Sequence, residues 1–263
     1  MDWVRPGRWS SRATWLALAL YVAYALSRLD FSKERFIVGL DNGARFVARM
    51  IPPRIAQPDS LLNGLVESLE IAVLASFLGI VLALPIGVLA ARNLMPPWVS
   101  WPARALVAAA RSFHPVIVAI VFVKAVGFGA MAGICALVVG SIGFIGKLFA
   151  EAIEEISLKQ VEAVRATGAS FMNTLVYGVM PQVFGRFIGF CTYQLDSNLR
   201  NSTMVGIVGA GGIGGTLFSA FQRFDYDFVA AILISIIALI MVGEVIATWV
   251  RKVFLEKSRL EEE

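Results

Sequence analysis

Long uncharged runs alternate with short polar segments along this chain. Ile71 to Ala91 is 21 residues without a charge, Ala125 to Gly146 is 22, and Phe228 to Gly243 adds 16 before Glu244. A hydrocarbon core about 30 Å thick is crossed by roughly 20 apolar helical residues, so each run predicts a membrane span. Ser112 to Gly146 carries one charge, Lys124, over 35 residues. As a single helix it would be roughly 52 Å long at ~1.5 Å per residue, too long for a bilayer. Gly127-Phe128-Gly129 is the natural turn that splits it into two spans. The first apolar stretch, Ala13 to Ser27, is shorter, with Trp15 as an interface anchor and Arg28 placed to snorkel outward. The least obvious span runs from Pro181 to about Met204 and holds Arg186, Asp196 and Arg200. Ionisable groups at that depth face a protein interior or a watery cavity. The pattern predicts an all-α, polytopic membrane protein with six helices at roughly 13–29, 62–91, 103–126, 130–150, 180–204 and 228–250.

Composition points the same way, with 58% hydrophobic and 16% charged residues, where soluble domains hold about 45–50% and about 25%. This excludes disorder, and two cysteines, Cys135 and Cys191, exclude a disulfide scaffold. A formal charge of +4 speaks of topology rather than nucleic acid. Arg5, Arg8 and Arg12 precede the first span; Arg92 and Arg104, then Lys147, Lys159 and Arg165, lie in the second and fourth connections; Arg251, Lys252, Lys257 and Arg259 follow the last span. All fall on one side if both termini are cytoplasmic, as the positive-inside rule requires. Residues 30–60 break the pattern with Lys33, Arg35, Arg45, Arg49 and Arg54 outside, partly offset by Asp30, Glu34, Asp41 and Asp59, and are read as an interfacial amphipathic helix. The N-terminal arginines, apolar run and Ala23-Tyr24-Ala25 would also suit a signal peptide with its cleavage site; a retained anchor helix is the reading carried forward. The expected organisation is an anchor and outer segment (1–60), a transmembrane core (61–250) and a cytoplasmic tail (251–263).

Residues 157–168 are the most informative segment. Ser157 with Gln160 three residues later fits a capping box, and Gly168 suits a left-handed helix stop. Leu158, Val161 and Val164 share one face, with Lys159, Glu162 and Arg165 around the other. A short rigid helix between two spans could lie on the membrane surface or fill a partner's socket.

Glu162-Ala163-Val164-x3-Gly168, with Pro181 after the spacer, resembles the EAA signature of permease subunits in bacterial ABC importers. That resemblance implies a coupling helix docking into an ATPase groove through Ser157, Gln160, Glu162, Ala163, Arg165, Gly168 and Pro181. Two departures stand out: Val164 replaces the second alanine, and Gly178 replaces the hydrophobic residue three before the proline. Ala90-Ala-Arg-Asn-Leu94, residues 146–154, residues 161–169, residues 205–214 and Phe224-Asp-Tyr-Asp227 together are similar to the phosphonate-type importer permeases, over roughly residues 60–250. The resemblance implies a type I ABC importer permease fold in the bacterial inner membrane and a cargo of phosphonate or a reduced phosphorus oxyanion such as phosphite. It further implies an ATPase pair carrying ATP and Mg, a periplasmic substrate-binding protein, and lipid as surroundings. A second copy of the chain is expected because an ATPase pair presents two sockets and each chain offers one such helix. Gly-x4-Gly-Lys-[Ser/Thr] does not occur, so the chain is expected to bind no ATP itself and to leave hydrolysis to the partner, and its single histidine, His114, can form no multi-histidine metal site.

Gly209-Ala-Gly-Gly-Ile-Gly214 matches Gly-x-Gly-x-x-Gly, but that fingerprint means dinucleotide binding only between a strand and a helix. Two readings stay open: close helix packing through Gly211 and Gly215, or a flexible periplasmic gate comprising Gly206, Gly209, Gly211, Gly212 and Gly214. For an anion path, Arg111 and His114 sit i, i+3 on the third predicted helix beside Ser112, with Pro115 as a kink. Asp196 and Arg200 are i, i+4 on the fifth, near Asn198, Asn201, Ser202 and Thr203. Their bland readings are a structural Asp196–Arg200 pair and a packed, hydrogen-bonded His114. A single histidine and no Gly-x-Ser-x-Gly weigh against a membrane enzyme, and no visible internal repeat weighs against an ion-coupled carrier. Another ABC permease, for instance for an amino acid, remains the alternative.

Overall fold

The computed structural model describes residues 8–28 and 32–260. The expected roles of Arg5 and Asp30, and of the last three residues, lie outside them, as do the side chains of Arg8, Arg251, Lys257 and Arg259. Two units divide near Pro52.

The first unit holds α1 (Arg8–Arg28) and α2 (Lys33–Arg49). Ser32 caps α2, its hydroxyl accepting from the Arg35 amide at 3.1 Å, which satisfies one of the free donors of the first turn. Asp41 and Arg45 pair along the polar face at 2.6 Å, while Phe36, Ile37, Leu40 and Val47 are exposed along the other. That is the amphipathic pattern expected of residues 30–60.

In the second unit, α3 (Pro58–Ala90), α6 (Ala130–Glu154) and α11 (Tyr226–Leu260) are the long apolar helices. Each is long and apolar enough to cross a bilayer. Small residues bring α3 and α6 together: a Cβ on Gly79 would stand 2.3 Å from Ser141 Cβ, and one on Gly87 2.8 Å from the Phe149 ring. Helices approach this closely where only backbone separates them. The fifth predicted span is α9 (Met180–Ile207). Like α1 it is long enough, but its Arg186, Asp196 and Arg200 make it less apolar than the other three.

The expected helix 103–126 is not one helix. It divides into α4 (Pro97–Ser112) and α5 (Pro115–Val126), bent by 93° at Phe113-His114. Pro115 has no N–H to continue the ladder, and the residue before a proline is pushed to extended backbone. His114 accordingly sits at φ −68°, ψ 140° and caps α5 through Nδ1, which accepts from the Val116 amide at 3.3 Å. Arg111 and His114 are therefore on different helices, not one face.

Four further elements complete the unit. They are α7 (Leu158–Ala166), the short α8 (Phe171–Thr174), a π-helical turn over Leu175–Val179 that leads into α9, and α10 (Ile213–Gln222). The last was not among the predicted helices, and α11 runs ten residues beyond the expected end at 250.

Candidate functional site

Val161 fixes α7 to the bundle. It is 1% exposed, in one apolar cluster with Val88, Ala91, Phe149, Ile153, Val179 and Val183. Leu158, expected on the same face, is exposed instead, and so are Lys159, Gln160, Glu162, Ala163 and Arg165. The result is a helix seated by one valine and presenting most of its surface outward.

The capping box does not form. The Ser157 side chain makes no cap bond, and Gln160 is exposed. Gln182, one residue after Pro181 in α9, does the closing: Oε1 accepts from the Ser157 amide at 2.9 Å, and Nε2 donates to the Gly178 carbonyl at 2.6 Å. The start of α7 is thus tied to α9 rather than to its own first turn. Gly168, at φ +80°, ends the segment in the left-handed conformation, as its type predicts. The two departures from the EAA pattern meet each other: a Cβ on Gly178 would lie 3.4 Å from Val161 Cα and 3.6 Å from Val164 Cγ2. A larger residue at 164 is matched by the smallest residue at 178.

Above α7, a buried polar cluster joins three helices. Asn198 Nδ2 donates to Ser76 Oγ on α3 and to Ser141 Oγ on α6, both at 2.9 Å. Gln194 Nε2 donates to Ser141 Oγ at 2.9 Å and to Asn198 Oδ1 at 3.0 Å. Both serine hydroxyls donate back into their own helices, to the carbonyls of Ala72 and Leu137. In a low-dielectric interior such groups hold the helices in register only if each is partnered. Sequence reasoning missed Ser76, Ser141 and Gln194, because nothing local marks a serine as facing a glutamine over fifty positions away.

Beside this cluster a cavity of about 180 Å³ is lined by Arg111, Gln194, Ser197, Asn198 and Asn201. Of the expected path residues the structure brings Arg111 and Asn198 together here. Ser112 bonds back to the Ala108 carbonyl, Ser202 is buried with its hydroxyl on the Leu199 carbonyl, and His114 caps α5. None of these three lines the cavity, nor does the Asp196–Arg200 pair. One oxygen of Asp196, Oδ1, is buried without a hydrogen-bond partner among the described residues.

A larger cavity, about 480 Å³, opens at the α7 end of the bundle between α4, α6 and the end of α3. Arg92, Arg104, Arg111 and Lys147 line it with Glu151. Arg104 is held by the Glu154 carboxylate at 2.6 Å and the Ala90 carbonyl at 2.9 Å. Glu154 also accepts from the Arg92 amide at 2.7 Å. Sequence reasoning had used Arg92, Arg104 and Lys147 only to orient the chain.

The glycine run joins α9 to α10 at the opposite end. Gly209, Gly211 and Gly212 all have positive φ, a backbone state that disfavours side chains. Gly212 caps α10, where the Ile213 amide donates to Ser68 Oγ at 2.9 Å. The close step is not Gly211 with Gly215: a Cβ on Gly214 would stand 2.0 Å from the Thr203 carbonyl and one on Gly206 2.5 Å from that of Gly211, whereas Gly215 has nothing nearer than 3.7 Å. The run lies between two helices, so its dinucleotide-like spelling has no strand before it.

Residues 83–257 match the family described as the inner membrane component of binding-protein-dependent transport systems. The chain belongs to that family. Among relatives, the phosphate-import permease protein of Mycolicibacterium smegmatis is 42% identical over 205 residues, 77% of this chain but 38% of that longer protein. The phosphite transport system permease protein of Stutzerimonas stutzeri is 39% identical over 217 residues, 82% of this chain and 79% of that one. The inward-facing methionine ABC transporter MetNI offers a solved chain with a TM-score of 0.66 and 25% identity, covering 74% of this chain and 95% of that one. This family member is thus an all-α, multi-pass inner-membrane protein with the type I ABC importer permease fold. The resemblance to phosphonate-type permeases read from its motifs is borne out.

Proposed function

We propose that the chain is the permease subunit of an ATP-driven importer for a phosphorus oxyanion, phosphonate or phosphite. The observation that carries the coupling half is α7, anchored by buried Val161 and tied by Gln182, with its charged surface turned outward. A surface helix that merely rested on lipid would put large apolar residues outward; here Leu158 is the one large apolar side chain so exposed, with the small Ala163 and Ala166, among Lys159, Gln160, Glu162 and Arg165. The substrate half rests on the relatives, named for phosphate import and phosphite transport.

In this reading α7 transmits nucleotide state from a separate ATPase, which binds ATP and Mg. Two copies of the chain face an ATPase pair, so that each ATPase receives one helix. Both termini and α7 lie on the cytoplasmic side, and the glycine run, comprising Gly206, Gly209, Gly211, Gly212 and Gly214, acts as the periplasmic gate. Cargo arrives from a periplasmic binding protein and passes Arg111 and Asn198; Ser112, His114, Asp196, Arg200 and Ser202 shape the helices around the path. The test is uptake of phosphite into proteoliposomes holding the permease, its co-purifying ATPase and the binding protein. Uptake that needs hydrolysable ATP and is lost with a hydrolysis-dead ATPase supports the proposal. Uptake that follows an ion gradient without ATP overturns it.

A further inference from the structure

Four cations line the 480 Å³ cavity at the α7 end, but they are not equivalent. Arg104 is neutralised and fixed by Glu154. Lys147 lies 3.5 Å from Glu151, one turn along α6. The guanidinium groups of Arg92 and Arg111 have no carboxylate partner among the described residues. The cavity therefore carries uncompensated positive charge on two arginines, Arg92 in the connection after α3 and Arg111 in the last turn of α4.

Arg111 has a second property: it lines both this cavity and the 180 Å³ cavity that holds Ser197, Asn198 and Asn201. Its stem is fixed by close helix contact, since a Cβ on Gly143 of α6 would stand 2.7 Å from Arg111 Cγ and 3.1 Å from its amide nitrogen. One arginine is thus held where the two cavities meet, between Ser197 and Asn201 of α9, whose polar groups the buried cluster does not use, and the basic pocket.

We infer that the basic cavity is an exit-side binding site for a free phosphorus oxyanion, with Arg111 passing the anion from the α9 donors and Arg92 holding it before release. The inference rests on the proposed transport function and deepens it by naming where the cargo pauses. The chemistry fits: a planar guanidinium gives paired N–H donors to a tetrahedral oxyanion. The openness of Arg92 keeps the grip weak, as a transport site requires if the ion is also to leave. Glu151, the one carboxylate in the wall, limits the depth of the well in the same direction.

A phospholipid headgroup offers the same oxyanion, so the test has two arms. The permease–ATPase complex is placed in nanodiscs of zwitterionic lipid without binding protein or nucleotide, and phosphite binding is followed by phosphorus NMR line broadening. The account expects saturable binding that weakens about threefold or more in Arg92→Gln and in Arg111→Gln, falls with salt, and recovers in Arg92→Lys. Lys124→Gln, the same charge change outside the cavity, leaves it unaltered. In the second arm, native mass spectrometry counts anionic lipid retained by nanodiscs doped with phosphatidylglycerol, and the account expects the same count in the native complex and Arg92→Gln. Phosphite binding indifferent to both arginines overturns the inference, as does Arg92-dependent retention of lipid that phosphite does not displace. ATP-driven phosphite uptake by proteoliposomes of the same complex separates the two claims. If uptake persists while binding ignores the arginines, the permease reading stands and the exit site falls.

Discussion

Gln182 serves three backbone groups with one amide, accepting from the Ser157 N–H and donating to the carbonyls of Gly178 and, at 3.4 Å, Ser157. Each bond alone is modest, of order 1 kcal/mol, but together they join the first residue of the α7 segment to α9. Gln182→Ala should speed amide exchange across residues 158–166 by about tenfold, the equivalent of ~1.4 kcal/mol of local opening. Gln160→Ala should leave that exchange unchanged. A capping box was legible at Ser157 and Gln160 as spelling, yet a side chain 25 positions on took the amide first. Asn198 is the other residue on which much converges. Replacing it with Ala removes two hydroxyl contacts and leaves Gln194 short of a partner, a loss of about 1–3 kcal/mol. The check is a lowered Tm of the purified protein in detergent, with Asn201→Ala, at the edge of the same cavity, close to the native value. No periodicity announces such a cluster, because its members come from three helices and each is an ordinary polar residue within its own.

Among the elements, the long apolar runs were the most legible, and the weaker fifth span and the punctuated short helix were legible too. The spans α3, α6 and α11, the fifth span as α9, and the short α7 all lie where the apolar runs and the Ser157–Gly168 punctuation put them. The α4–α5 break was legible only as a kink, since Pro115 tells that the ladder fails but not that the chain turns through 93°. Helix α10 was hidden because its glycine-rich start reads as loop until Gly212 and Ser68 are seen to cap it. Contact between α7 and the π-helical turn yields a prediction at this scale. Gly178→Leu should push α7 outward and lower ATPase co-purification severalfold, because the added side chain meets Val161 and Val164. Combined with Val164→Ala, the loss should be largely restored, since the pair then returns to the small–large arrangement of the EAA signature. Two effects that simply add would mean that the residues act independently.

For the whole molecule, the two cavities and α7 define a direction. The basic cavity shares its end of the bundle with α7: Ala91 and Ile153 pack with Val161, next to Arg92 and Glu154 in the chain. The glycine run and the α5–α6 turn meet at the other end, where the Gly129 amide donates to the Gly209 carbonyl at 3.0 Å. On the proposed coupling role of α7, this polarity sets the basic cavity at the same end as nucleotide-driven motion. The lysine and arginine distribution had already set Arg92, Arg104 and Lys147 on one side, while their shared cavity needed the packing of α4 against α6. That the chain acts through α7 on a separate ATPase is the claim everything else depends on. Its most direct test is a photoactivatable cross-linker on a cysteine at position 162 (Glu162→Cys, with Cys135 and Cys191 replaced by Ala), in inner-membrane vesicles containing the co-expressed ATPase. The account predicts a cross-link to the ATPase whose yield changes severalfold between ATP-bound and nucleotide-free states. Adducts to lipid alone, in vesicles that still import phosphite, would contradict it.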